Sequence, residues 1–180
     1  MSYIVRLATE RDVPALNALI PASVRALSAG YYSARQIESA LVHIFGVDSQ
    51  LIADGTYFVA VVADSGEIVG CGGWSMRRTL YGGDQMKDEA DELLDPARDP
   101  ARIRAYFVHP EWARRGIGRR IIAACEAAAL TAGFRDMELG STLPGEPLYA
   151  AMGYTVTQRF EISMPDGVSL PAAHMVKALG

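Results

Sequence analysis

Residues 103–120, Ile-Arg-Ala-Tyr-Phe-Val-His-Pro-Glu-Trp-Ala-Arg-Arg-Gly-Ile-Gly-Arg-Arg, leave the chain little conformational choice: a strand, a turn and a helix start follow in immediate succession. Residues 103–108 are mainly β-branched or aromatic. Pro110, with no N–H to give to a ladder, ends the run. Beyond Gly116 the apolar residues Ile117, Ile121, Ala124, Cys125 and Ala128 recur at spacings of three and four, the period of a helix face. Gly133 stands where a left-handed cap ends such a helix.

The helix therefore begins beside Gly116 and Gly118, where first-turn N–H groups lack internal partners and the positive end of the dipole is exposed. Arg114, Arg115, Arg119 and Arg120 surround that point, and guanidinium groups grip phosphate oxygens in pairs. The segment reads as a phosphate cradle. Taken alone it also fits a solvated basic helix start with glycine in a tight turn.

A second stretch, residues 138–154, reads Glu-Leu-Gly-Ser-Thr-Leu-Pro-Gly-Glu-Pro-Leu-Tyr-Ala-Ala-Met-Gly-Tyr. Together the two stretches resemble the GNAT superfamily of N-acetyltransferases. In that family a strand ending in Val-x-Pro leads into a Gln/Arg-x-x-Gly-x-Gly/Ala turn that holds the pyrophosphate of acetyl-CoA. Here the turn is Ala113-Arg114-Arg115-Gly116-Ile117-Gly118, and Ala113 departs from the usual Gln or Arg. The family's Tyr, four residues before a Gly-aromatic pair, is matched by Tyr149, Gly153 and Tyr154.

The resemblance implies an α/β domain over residues 1–180, with a mixed, mostly antiparallel sheet of six to seven strands splayed between strands four and five. It implies acetyl-CoA as cosubstrate, held by Phe107, Val108, Arg114, Arg115, Gly116, Ile117, Gly118, Arg119 and Ser141. It further implies Tyr149 as the acid that protonates the CoA thiolate, and direct transfer to a primary amine of a small molecule or peptide. Glu138, or Tyr106, is expected to draw the amine's proton through water. Tyr31, Trp74 and Tyr106 are expected at the acceptor. A homodimer is expected from the long apolar C-terminal strand, since the family often uses such strands at interfaces.

Composition narrows the alternatives. With 180 residues, half of them hydrophobic, the chain suits one well-cored domain. A net charge of −4 opposes a nucleic-acid footprint, which would be basic over the whole domain. The two cysteines, Cys71 and Cys125, sit in apolar patterns that suit a reduced core, and His43, His109 and His174 stand apart, so no metal is expected. The first residues lack a signal peptide's apolar region, and no run approaches the roughly 20 apolar residues of a membrane span. A cytoplasmic protein without membrane contact is expected.

In chain order, residues 3–7 alternate as a half-buried strand, and Thr9 with Asp12 has the form of a capping box for a helix reaching about Ile20. A loop over residues 21–32 is followed by a second box, Ser33 with Gln36, and a second helix. Residues 57–63 and 68–76 form a hairpin whose second strand is thinned by Gly70, Gly72 and Gly73, a mark of close approach by ligand or backbone. Residues 77–101 make a polar insertion between strands three and four. Its seven acidic residues, Asp84, Asp88, Glu89, Asp91, Glu92, Asp95 and Asp99, read as a solvated excursion or as a rim that concentrates cationic amines. A strand over 134–139, a short helix over 145–152 and closing strands over 154–162 and 172–179 complete the chain.

Two rivals remain. Strand, Gly-x-Gly, helix, strand also describes a nicotinamide-binding unit, but Ile121 fills the third glycine position and an antiparallel hairpin does not suit a doubly wound sheet. A non-catalytic acyl-CoA-binding module is the other, and retention of Tyr149 opposes it.

Overall fold

The computed structural model describes residues 2–87 and 89–180; Met1 and Asp88 of the acidic run lie outside them. Strands β1 (Tyr3–Leu7), β2 (Tyr57–Val62), β3 (Ile68–Ser75), β4 (Ala101–Val108), β5 (Asp136–Thr142), β6 (Thr155–Ser163) and β7 (Ser169–Ala178) form one sheet in the order β1-β2-β3-β4-β5-β7-β6. Every neighbouring pair is antiparallel except β4 with β5. That pair holds register only at Ala101 with Met137 and Arg102 with Glu138, so the sheet splays beyond it. The helices are α1 (Val13–Ser28), α2 (Ala34–His43), α3 (Ser49–Asp54), α4 (Ile117–Thr131) and α5 (Glu146–Ala151).

The helices cover both faces. On one, Ile121, Ile122 and Cys125 of α4 pack on Val69, Met137 and Leu139. On the other, Leu16 and Ile20 of α1 and Ile37 of α2 pack on Val59, Leu170 and Ala172. The long apolar C-terminal strand offered as a dimer seam is β7, paired on both edges by β5 and β6, with Leu170, Ala172, Ala173 and Met175 buried in the protein's own core. Both cysteines are buried and free. Among the described residues no helix is long and apolar enough to cross a membrane, and no group of three His, Cys, Asp or Glu side chains is placed to hold a metal.

Helix α1 does not stop at Ile20. It runs through Pro21 to Ser28. An interior proline costs about 3 kcal/mol in a lost hydrogen bond and crowding. Beyond Pro21 the helix buries Val24, worth about 1.5–3 kcal/mol, and sets Ser23 Oγ to accept the Val108 N–H at 3.1 Å, which together offset the proline. The short α3 was not foreseen in sequence; Asp48 caps it by accepting the Gln50 N–H at 3.1 Å, and Gly55 closes it in the left-handed conformation at φ 72°.

At the N-terminus, Asp12 accepts from Arg6 at 2.8 and 2.9 Å and from the Thr9 N–H at 2.8 Å. The Arg6 hydrogen bonds, ahead of the Thr9 contact and against burial, hold the Asp12 carboxyl below its ordinary range. A depressed folded-state pKa contributes stability above the unfolded value of about 3.9 that is lost as pH falls through the folded value. Asp12→Asn is therefore expected to melt below wild type at pH 7, with the gap closing as pH is lowered through the acid range; a gap independent of pH would refute the linkage.

Candidate active site

The turn into α4 has two residues in the left-handed region, Arg114 at φ 62° and Gly116 at φ 83°. Nothing lies within 4 Å of a Cβ built on Gly116, so glycine serves conformation there. Gly118 serves proximity: its Cβ would lie 2.7 Å from Leu148 Cδ2. The first intrahelical bond runs from the Arg120 N–H to the Gly116 carbonyl at 3.0 Å, leaving the N–H groups of Ile117, Gly118 and Arg119 without an acceptor among the described residues. They face a cleft of about 430 Å³ lined also by Arg114, Arg119 and Leu148. Three free donors, a helix dipole and two guanidinium groups fit an anion of pyrophosphate chemistry.

Behind the cleft, β4 breaks its ladder. Cys71 pairs with Phe107 and Gly73 with Arg104, so Ala105 and Tyr106 together face Gly72. This is a β-bulge, with Ala105 at φ 55°, and the Tyr57 hydroxyl donates to the Ala105 carbonyl at 2.6 Å. A Cβ on Gly72 would lie 2.7 Å from the Tyr106 ring. The close approach signalled by the strand glycines is thus made by the chain's own side chains, with Ile117 over Gly70 and Tyr106 over Gly72.

Around the splay and the bulge lie three neighbouring cavities that share lining residues. The outer cleft shares Val108 and Pro144 with a middle cavity of about 120 Å³. The middle cavity shares Phe45, Tyr106, Phe107 and Thr142 with an inner pocket of about 80 Å³.

Tyr149, on α5, lines the inner pocket, its ring edge-on to Tyr106 at 6.1 Å and to Tyr154 at 6.0 Å. Its hydroxyl has no hydrogen-bond partner among the described residues, whereas the Tyr106 hydroxyl donates to Cys125 Sγ at 3.2 Å and that of Tyr154 to Glu126 at 3.2 Å. Burial raises the Tyr149 phenol above its ordinary value, so it carries its proton at neutral pH.

The Acetyltransferase (GNAT) family model matches residues 23–154. The chain belongs to this family. The fold agrees. A GCN5-related N-acetyltransferase from Rhodopseudomonas palustris superposes with a TM-score of 0.71 at 22% identity, over 99% of this chain and 96% of that one. The PaiA N-acetyltransferase of Thermoplasma acidophilum, solved with coenzyme A, gives 0.65 at 16% identity over 99% of both chains. A putative acetyltransferase from Salmonella typhimurium, solved with acetyl-CoA, gives 0.62 at 16% identity over 100% and 95%. No curated protein sequence matches the chain. As a GNAT protein it is an acyltransferase dependent on acetyl-CoA, and the nicotinamide alternative falls with the antiparallel sheet.

Within the GNAT frame the sequence-predicted residues divide. Arg114, Gly116, Ile117, Gly118 and Arg119 meet at the cleft. Arg115 does not line it; its guanidinium lies over the Trp112 ring at 4.9 Å. Arg120 turns away, stacked on Tyr3 at 5.2 Å. Phe107 and Val108 line the middle cavity, but the Val108 N–H already donates to Ser23 Oγ at 3.1 Å. Ser141 is buried at the inner pocket and donates to the Thr142 carbonyl at 2.7 Å.

Three expected residues lie elsewhere, and Tyr106, which does line the inner pocket, is ill suited only as the base. Glu138 lines none of these cavities: it is paired with Arg102 and, at 2.8 Å, with His174 Nε2, which removes it as a free base. Tyr106 is a poor base as well, because burial raises its phenol and its proton is engaged by Cys125, whose thiol burial pushes up to about 12. Trp74 is buried in the core, edge-on to Phe134 at 6.0 Å, and does not reach the pocket. Tyr31, 53% exposed, borders the outer cleft instead of the acceptor side.

The structure also supplies residues that sequence reasoning missed, chiefly Phe45, Tyr81 and Arg104 at the inner pocket. The insertion between β3 and β4 is docked. Arg77 grips Asp54 at 2.7 and 2.9 Å, Lys87 reaches Asp48 at 2.6 Å, and Leu94 is buried. Asp84 accepts from Ser49, and Asp91 from the Thr79 N–H at 2.9 Å. Among the described residues, no carboxylate of the acidic run lines the inner pocket. A negative rim has no support there.

Proposed function

We propose that the protein moves an acetyl group from acetyl-CoA to a primary amine within a direct ternary complex. The observation that carries this reading is the adjacency of three cavities at the splay, with an anion cradle at the outer one and the unpartnered Tyr149 hydroxyl beside the inner one. On this reading both reactants meet at the splay, without a covalent enzyme intermediate.

The residues present fit the cosubstrate. The N–H groups of Ile117, Gly118 and Arg119, with Arg114 and Arg119, hold its pyrophosphate, and Val108 offers an N–H farther in once Ser23 yields it. Bound acetyl-CoA supplies an acyl carbon activated as a thioester and a thiolate leaving group. The amine lone pair forms the new C–N bond as the C–S bond breaks, and the proton lost by nitrogen balances the one gained by sulfur. Tyr149 passes its proton to the departing sulfur and regains one from the acylated nitrogen, so the phenol ends the turnover protonated. A dimer through β7 is not part of this reading, because that strand is already paired on both sides.

Acetyl-CoA at about 100 times its dissociation constant is expected to stabilise the fold by about 2.7 kcal/mol, a rise of roughly 5–10 °C in melting temperature, with no rise from NADH. Gly118→Glu puts a carboxylate in the cradle and is expected to abolish the rise; Arg119→Glu, which leaves the Leu148 contact intact, is expected to reduce it. A rise with NADH and none with acetyl-CoA would overturn the reading.

A further inference from the structure

We propose that Tyr81 sets the size limit of the acceptor pocket, and that the acceptor is a small monoamine with an apolar body. The inference rests on the acetyltransferase reading above and concerns the inner pocket, whose occupant the family does not specify.

The segment carrying Tyr81 is fixed on both sides. Arg104 donates to the Thr79 carbonyl at 3.0 Å and to the Gly82 carbonyl, bracketing the tyrosine backbone. The Gly83 N–H donates to the Ile44 carbonyl at 2.8 Å and the Asp84 N–H to that of Val47 at 3.0 Å, fastening the segment to the chain between α2 and α3. The Tyr81 ring then stacks on Phe160 of β6 at 5.8 Å with 29° between planes. Gly140 of β5 makes room for it: a Cβ there would lie 3.2 Å from Tyr81 Cδ1. Tyr81 thus forms a wall that joins the insertion to the far half of the sheet.

The space behind that wall is about 80 Å³. With on the order of 10–15 Å³ needed per water-sized group, the enclosed part holds roughly six heavy atoms, so the acceptor end that enters is small and anything larger must extend out past Tyr81. Its lining decides the chemistry. Phe45, Ile103, Phe107, Ile162 and Ala172 are apolar, and among the described residues its one charged side chain is Arg104, already paired with Asp48 at 2.9 Å. A polyamine would bury extra ammonium groups with no carboxylate to meet them, a cost that an apolar monoamine avoids.

The test is the rate of CoA thiol release at saturating acetyl-CoA, with isoamylamine, 3-phenylpropylamine, spermidine and a short peptide as acceptors. Wild type is expected to favour isoamylamine over each of the others by about tenfold or more in kcat/KM, the range by which hydrophobic pockets discriminate. Tyr81→Ala removes the wall and Phe160→Ala removes what the wall leans on. Each is expected to lower the isoamylamine to 3-phenylpropylamine ratio by about tenfold while the melting rise with acetyl-CoA persists. A wild-type preference for spermidine or peptide, or an unchanged ratio in both variants, overturns the proposal. Turnover of none of the four, with acetyl-CoA still raising the melting temperature, overturns the transferase reading and this one with it.

Discussion

Replacing Tyr149 by Phe is expected to lower turnover by about 10²-fold or more while acetyl-CoA affinity changes little, the signature of a lost general acid. The substitution keeps the ring, whose edge contacts with Tyr106 and Tyr154 hold α5 against β4, and deletes only the hydroxyl. Because that hydroxyl has no partner among the described residues, no internal hydrogen bond is broken and the fold is expected to melt within a few degrees of wild type. Burial keeps the phenol protonated, so it can donate to a sulfur that gains charge as the C–S bond lengthens, and the interaction is stronger in the transition state than in the ground state. Single-turnover rates with a competent acceptor isolate the chemical step. Wild-type single-turnover rates in the Phe variant would reduce Tyr149 to a packing residue.

The outer cleft could be placed in the sequence because Arg114, Gly116, Ile117, Gly118 and Arg119 are contiguous, although the glycines alone also fitted a plain tight turn, and Arg115 and Arg120 turn elsewhere. Tyr149 was picked out by the family resemblance, through its place four residues ahead of Gly153, and the fold sets it at the inner pocket. The acceptor half joins residues far apart in sequence. Arg104 finds Asp48, and Tyr81 finds Gly140 and Phe160, through folding alone. No local pattern marks Ala105 as the bulged residue either, since left-handed backbone is usually given to glycine. Glu138 shows the converse. Its place on a strand could be read, but Arg102 and His174, which engage it, could not. Pro21 misled because a chain-breaking residue was weighed without the Val24 burial and the Ser23 contact that offset it.

Arg104→Ala is expected to destabilise the protein by roughly 3–5 kcal/mol, the usual cost of breaking a buried ion pair from one side. Both partners are withdrawn from water, with 1% of the Arg104 side chain and none of the Asp48 side chain exposed. Asp48 would keep Lys87 at 2.6 Å and the Gln50 N–H, but one carboxylate oxygen would lose its guanidinium. The Thr79 and Gly82 carbonyls would lose their donor at the same time. Burial already pulls the Arg104 guanidinium below its ordinary value against the attraction of Asp48, so its charge is held by partners that the fold supplies. Arg104→Lys is expected to fall between the two, since one ammonium reaches Asp48 but not the two carbonyls that a planar fork serves. Arg104→Met combined with Asp48→Asn is expected to recover only a small part of the loss, because the carboxylate is no longer left unpaired but Lys87 then keeps only Asp91, at 3.8 Å. Urea unfolding measures all of these. If Arg104→Ala unfolds within about 1 kcal/mol of wild type, the clamp does not hold the insertion, and the fixed Tyr81 wall loses its support with it.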